Sequence, residues 1–119
     1  MAATGVRRAP RREVDDALLK EIVGKIVAAF DPRRVVLFGS RATGNWRPDS
    51  DVDLFVEMET HLPAVERRIA IRELLWPPKC AMDLLVFTPE EVQERKDVIG
   101  SIVRTILRTG RTLYERSAK

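Results

Sequence analysis

What most restricts the fold of this chain is a pair of short motifs at a set distance: Gly39-Ser40, ten residues, then Asp51-Val52-Asp53. Each motif abuts an apolar run. Val35-Val36-Leu37-Phe38 ends at the glycine, and Asp51 to Glu57 alternates, with Asp51, Asp53 and Phe55 on one face and Val52, Leu54 and Val56 on the other. β-Branched and aromatic runs bounded by charge and glycine read as strands. Residues 39–50 contain Gly39, Gly44, Asn45, Pro48 and Ser50 and read as a loop. Two strands joined by such a loop, without a helix, favour antiparallel neighbours. The Gly-Ser end of the first strand then lies beside the Asp51 end of the second.

The flanking segments complete the order. Leu18, Leu19, Ile22, Val23, Ile26, Val27 and Phe30 recur at helical spacing, predicting a helix from Glu13 to Phe30 that stops at Asp31-Pro32. A second helix is predicted from Pro63 to Leu75, ended by Pro77-Pro78, and a third strand from Ala81 to Phe87. Strands joined through a helix favour a parallel pair with a right-handed crossover. Asp83, near the start of the third strand, therefore meets the same end of the sheet as Asp51 and Asp53. Thr88-Pro89-Glu90-Glu91 carries a capping box with proline at the first helical position. The helix it opens should run to Arg108 with a break at Gly100, leaving Leu113-Tyr114-Glu115 as a short extended piece. The expectation is an α/β single domain: a small mixed sheet of three to four strands flanked by helices. Residues 13–116 form the domain and residues 1–12 a basic flexible tail.

Composition narrows the class. A chain of 119 residues, 45% hydrophobic and 33% charged, suits one soluble domain. Cys80 is the only cysteine, which excludes an intrachain disulfide. No apolar run approaches the roughly 20 residues that span a bilayer, so a cytoplasmic protein without membrane contact is expected. Much of the net charge of +3 sits at Arg7, Arg8, Arg11 and Arg12. A basic end of this kind is ordinarily solvated, and it does not argue for nucleic acid.

The chemistry follows from the convergence. Residues two apart on a strand stand about 6.6 Å apart, so their carboxylates can share or divide a pair of hard cations. Magnesium takes oxygen ligands and retains substrate phosphates among them. Two ions roughly 3.5–4 Å apart stabilise the attacking and leaving oxygens of an in-line displacement. Ser40 and the amides around Gly39 suit terminal phosphates, because amide donors approach closely where no Cβ intervenes. Arg41 can add charge-assisted bonds to the same oxygens. Gly39-x4-Gly44 has Walker spacing, but Asn45-Trp46 follows where Lys and Ser/Thr are required, so that loop is excluded.

The stretch GSRATGNWRPDSDVDLFV, with the later AMDLLVF, resembles the minimal nucleotidyltransferase domain of the DNA polymerase β superfamily. Within it, the likeness is greatest to the small MntA-type antitoxins that accompany HEPN-domain ribonuclease toxins. It spans most of the chain, from the first helix to Leu113-Tyr114-Glu115. The resemblance implies that Gly39 and Ser40 bind the triphosphate of ATP. It implies that Asp51, Asp53 and Asp83 are the catalytic carboxylates and ligate magnesium, with two ions expected. Asp83 would also help deprotonate the attacking hydroxyl. The implied activity is AMP transfer from ATP to a hydroxyl, releasing pyrophosphate. In the antitoxin branch the acceptor is a tyrosine of the toxin, whose ribonuclease is thereby silenced. A HEPN toxin in a hetero-oligomer is the expected partner. Two other readings stand beside this one: a nucleotide-binding module that neutralises a partner by covering it, and nucleotidyl transfer to a small molecule or RNA.

Other residues read more plainly. His61 belongs on the surface or at a helix cap, and Cys80 is a small buried filler. Trp76 is expected in the core or at an interface, and Arg67 and Arg68 on a wet helix face. Tyr114 is the only tyrosine, with nothing in the sequence favouring its self-modification, and Trp46 has no role that the motif assigns.

Overall fold

In a computed structural model the structure describes residues 12–117. Arg7, Arg8 and Arg11 of the expected tail lie outside the described residues, while Arg12 pairs with Glu21 at 2.6 Å. The predicted first helix is α1 (Asp16–Phe30), burying Leu18, Leu19, Ile22, Val23 and Ile26. The Asp15 carboxylate caps it by accepting the Leu18 N–H at 2.8 Å. Its end is set by Pro32, which denies Asp31 the right-handed helical region; Asp31 turns left-handed, at φ 48°. The chain continues through β1 (Arg34–Phe38), α2 (Ser40–Thr43), β2 (Val52–Glu57), α3 (Ala64–Leu74), β3 (Met82–Phe87), α4 (Pro89–Arg95), α5 (Ile102–Thr109) and β4 (Arg111–Glu115).

The strands form one mixed sheet in the order β3-β2-β1-β4. β1 and β2 are antiparallel and β2 and β3 parallel, as their connections predict. The short extended piece is β4, antiparallel to β1 on the outer edge. A bulge opposite Val35 and Val36 leaves Leu113 without a register partner, and both Leu113 and Tyr114 then pack on the α1 side. Helices cover both faces. Val35, Leu37, Val52, Leu54, Val56, Leu84 and Val86 pack with the inner sides of α1 and α3. Val36 and Phe55 pack on the other face with Val92, Val103 and Ile106 of α4 and α5. Phe55 therefore shares its face with Asp53 while being fully buried, and the carboxylate lies at the end of that face. Among the described residues no helix is long and apolar enough to cross a membrane.

Four local expectations need correction. The loop after β1 contains a helical turn, α2, because Gly39 and Gly44 bracket it in conformations that glycine adopts freely (φ 75° and 91°). The last predicted helix breaks earlier than Gly100: α4 ends at Arg95, and Ser101 caps a separate α5 by accepting the Arg104 N–H at 3.1 Å. Arg67 is not on a wet face but 8% exposed. Its guanidinium donates to Leu62 O (2.7 Å), Val86 O (3.2 Å) and both Glu91 oxygens (2.8 and 3.3 Å). Glu91 also closes the capping box with Thr88, so the Arg67–Glu91 pair ties α3, β3 and α4 together. The Arg67 hydrogen bond, helped by the Thr88 amide, holds the Glu91 carboxyl below its ordinary value against the opposing effect of burial. Trp76 is 73% exposed, which removes it from the core. Cys80 is buried and His61 exposed, as predicted.

Candidate active site

The register of the sheet builds the site. Phe38, the last residue of β1, is the partner of Asp53, and Asp53 is in turn the partner of Asp83 on β3. Gly39 thus emerges directly beside the Asp53 carboxylate. Its backbone, at φ 75° and ψ −156°, lies in a region that is essentially glycine-only. A Cβ added there would collide with Asp53 Oδ2 and stand 3.1 Å from Asp53 Cγ. The glycine is therefore a cradle: it lets the main chain approach a carboxylate closer than any side chain would permit.

Asp51 stands exposed just ahead of β2, Asp53 is half-buried and Asp83 is exposed on the edge strand. Burial pushes the Asp53 carboxyl above its ordinary value, and the charges of Asp83 and then Asp51 push it further. Asp53 therefore senses both of the other carboxylates. The three are neighbours without being drawn into a cage: among the described residues, no three His, Cys, Asp or Glu side chains are grouped closely enough to hold a metal ion. All-oxygen donors and charge repulsion at Asp53 fit magnesium, which binds through one or two carboxylates and substrate oxygens.

The turn after Gly39 presents the remaining groups. Gly39 O accepts the N–H groups of Ala42 and Thr43 (3.0 and 3.2 Å), closing α2. Ser40 and Arg41 occupy its first turn, where N–H groups have no acceptor within the helix. Arg41, expected to reach phosphate oxygens, also holds the loop that follows. Its Nε donates to Ser50 O at 3.0 Å, and its Nη2 to Pro48 O and Arg47 O at 3.3 and 3.4 Å. Its guanidinium carbon also lies 5.0 Å from the Trp46 ring centroid. Two of its three nitrogens thus hold the loop that leads into Asp51. Ser50 adds to this by accepting the Arg47 N–H on its hydroxyl at 2.8 Å. Sequence reasoning did not assign Ser50 or Trp46. The signal available was their position in a glycine-bounded loop between two site motifs.

A mixed sheet that delivers a Gly-Ser turn and neighbouring carboxylates to one rim has the parts needed to move a phosphoryl group from a cation-bound polyphosphate. The chain belongs to the nucleotidyltransferases: residues 18–115 match the nucleotidyltransferase domain family. Its fold is similar to that of a crystal structure from Sulfolobus solfataricus assigned to the nucleotidyltransferases. The TM-score is 0.60 at 21% identity, over 84% of this chain and 79% of that one. No curated protein matches the sequence significantly.

Proposed function

We propose that this nucleotidyltransferase uses magnesium and ATP to place AMP on a tyrosine hydroxyl of a HEPN ribonuclease partner, and so acts as its antitoxin. One observation carries the chemistry: Asp53 and Asp83 are register partners, with Gly39 backing Asp53. The choice of acceptor rests on the likeness of the Gly-Ser to Asp-x-Asp segment to the antitoxin branch.

The residues divide the work. The Gly39 cradle and the Ser40 hydroxyl receive the terminal phosphates. Asp51, Asp53 and Asp83 would hold magnesium, which when bound would neutralise charge on the transferred phosphoryl group and the departing pyrophosphate. Asp83, exposed on the edge strand, is open to an incoming acceptor. The acceptor oxygen bonds to the α-phosphorus, the bond to pyrophosphate breaks, and the hydroxyl proton passes to an Asp83 carboxylate oxygen.

A second reading, neutralisation by covering the partner, is favoured by exposed apolar side chains along α3. Val65 and Ile69 are 56% and 47% exposed at helical spacing, and Trp76 just past the helix is 73% exposed. One experiment separates the two. The protein is incubated with ATP, magnesium and a HEPN protein encoded beside it, and the partner is weighed by intact mass spectrometry. A gain of one or more AMP units, absent with Asp53→Ala, is expected. An unchanged partner mass refutes transfer, and protection that survives Asp53→Ala would favour occlusion.

A further inference from the structure

Trp46 is the large aromatic that the chemistry above leaves unused. It is 50% exposed, on the segment between Gly44 and Asp51. Solvent-facing aromatics on loops are ordinarily free to move, but this one is held. The Arg41 guanidinium lies over its ring at 5.0 Å from the centroid. That guanidinium is itself held by Ser50 O, Pro48 O and Arg47 O, which accept from its Nε and Nη2. The indole is therefore one guanidinium away from the carbonyl that leads into Asp51. A cation against one face of an indole leaves the other face for a ligand, and flat π-systems are what such a face takes.

We propose that Trp46, backed by Arg41, is the platform on which the base of the nucleotide stacks. The inference rests on the nucleotidyl-transfer reading and extends it to the nucleoside end of the substrate. Gly39-Ser40 and the carboxylates take the triphosphate, and the loop between them takes the base. Arg41 is then a positioning residue for the platform, which accounts for its use of loop carbonyls. Stacking rewards π-area, so a purine triphosphate should bind more tightly than a pyrimidine triphosphate.

The test compares magnesium-bound ATP, CTP and inorganic triphosphate, the last lacking a base, by calorimetric titration of the full chain. A Trp76→Phe background makes Trp46 the only tryptophan, so its emission reports stacking. Quenching by ATP but not by triphosphate is expected. Trp46→Ala should weaken ATP roughly 5- to 100-fold and leave triphosphate unchanged, and Trp46→Phe should restore most of the loss. Equal weakening of ATP and triphosphate, or unaltered ATP affinity, overturns the platform while leaving nucleotide binding intact. If neither ATP nor triphosphate binds the unaltered chain, the nucleotidyl-transfer reading falls and the platform with it.

Discussion

Replacing Gly39 by alanine tests the cradle directly, because two separable penalties meet at that residue. The first is conformational: φ 75° with ψ −156° is a region that costs a residue with a Cβ about 1–3 kcal/mol. The second is a collision, since the new methyl would run into Asp53 Oδ2. Asp53 can escape only by leaving its rotamer, at about 0.5–1.5 kcal/mol. Together they predict that Gly39→Ala destabilises the protein by about 1.5–4.5 kcal/mol, read by urea unfolding without nucleotide. The second penalty can be removed alone. Asp53→Ala deletes the colliding oxygen and keeps a Cβ, which stands at an ordinary 3.5 Å from the added methyl. In that background Gly39→Ala should cost about 0.5–1.5 kcal/mol less than in the parent chain. Relief of repulsion at Asp83 belongs to the Asp53→Ala single variant and cancels in the cycle. Additivity within about 0.3–0.5 kcal/mol would show that glycine is needed only for its backbone angles, and the cradle argument would fail.

Two further outcomes follow from the charged groups. Arg67→Met removes four hydrogen bonds and leaves Glu91 without its cation; with the Glu91 side chain 30% exposed, solvent recovers part of the loss, and thermal or urea unfolding should show about 2 kcal/mol of destabilisation. The pH dependence should carry two opposite contributions. Asp53, raised in the folded state, contributes stability fully present below its unfolded pKa of about 3.9 and lost as pH rises through its folded value, and Asp53→Asn should abolish that loss. Glu91, lowered in the folded state, contributes stability present above about 4.3 and lost as pH falls through its folded value, and Arg67→Met should flatten that acid limb. Denaturant midpoints across pH, without divalent cations, read both; a Asp53→Asn profile identical to the parent's would refute the first.

The parts of the structure that were legible in the sequence are those governed by period and connection length. The strand at 52–57 announces its faces by alternation, and the loop before it and helix after it dictate its neighbours, which is why Asp83 could be brought to Asp53 before any coordinates. Arg67 was illegible for a different reason. Its spacing to Ile71 and Leu75, four and eight residues, places it on the buried side of α3, but residue type argues the opposite. The acceptors it finds, above all Glu91 from 24 residues away, make that burial tolerable. Glu91 itself was read as a capping residue, which it is, with its second duty hidden by sequence distance. The turn α2 was missed because four residues offer no period; the two bracketing glycines were the available signal. The hold of Arg41 on the loop was hidden because the carbonyls it bonds arrive from residues 47–50.

The placement of the carboxylates is enforced by burial elsewhere on the same strand. Side chains alternate faces with a period of two, so a one-residue slip of β2 against β1 would turn Asp53 away from Gly39. The same slip would carry Val52, Leu54 and Val56, all 0% exposed, off the face packed by α1 and α3, and would drive Asp53 into it. Each of those aliphatic side chains is worth about 1.5–3 kcal/mol when buried, and an unpaired carboxylate in their place adds a desolvation cost. The correct register is therefore favoured by several kcal/mol without any contribution from the site. That margin explains how Asp53 can sit where its own charge is unfavourable: the aliphatic side of β2 holds the strand in place, and the repulsion among the acids remains available for a cation and a polyphosphate to relieve.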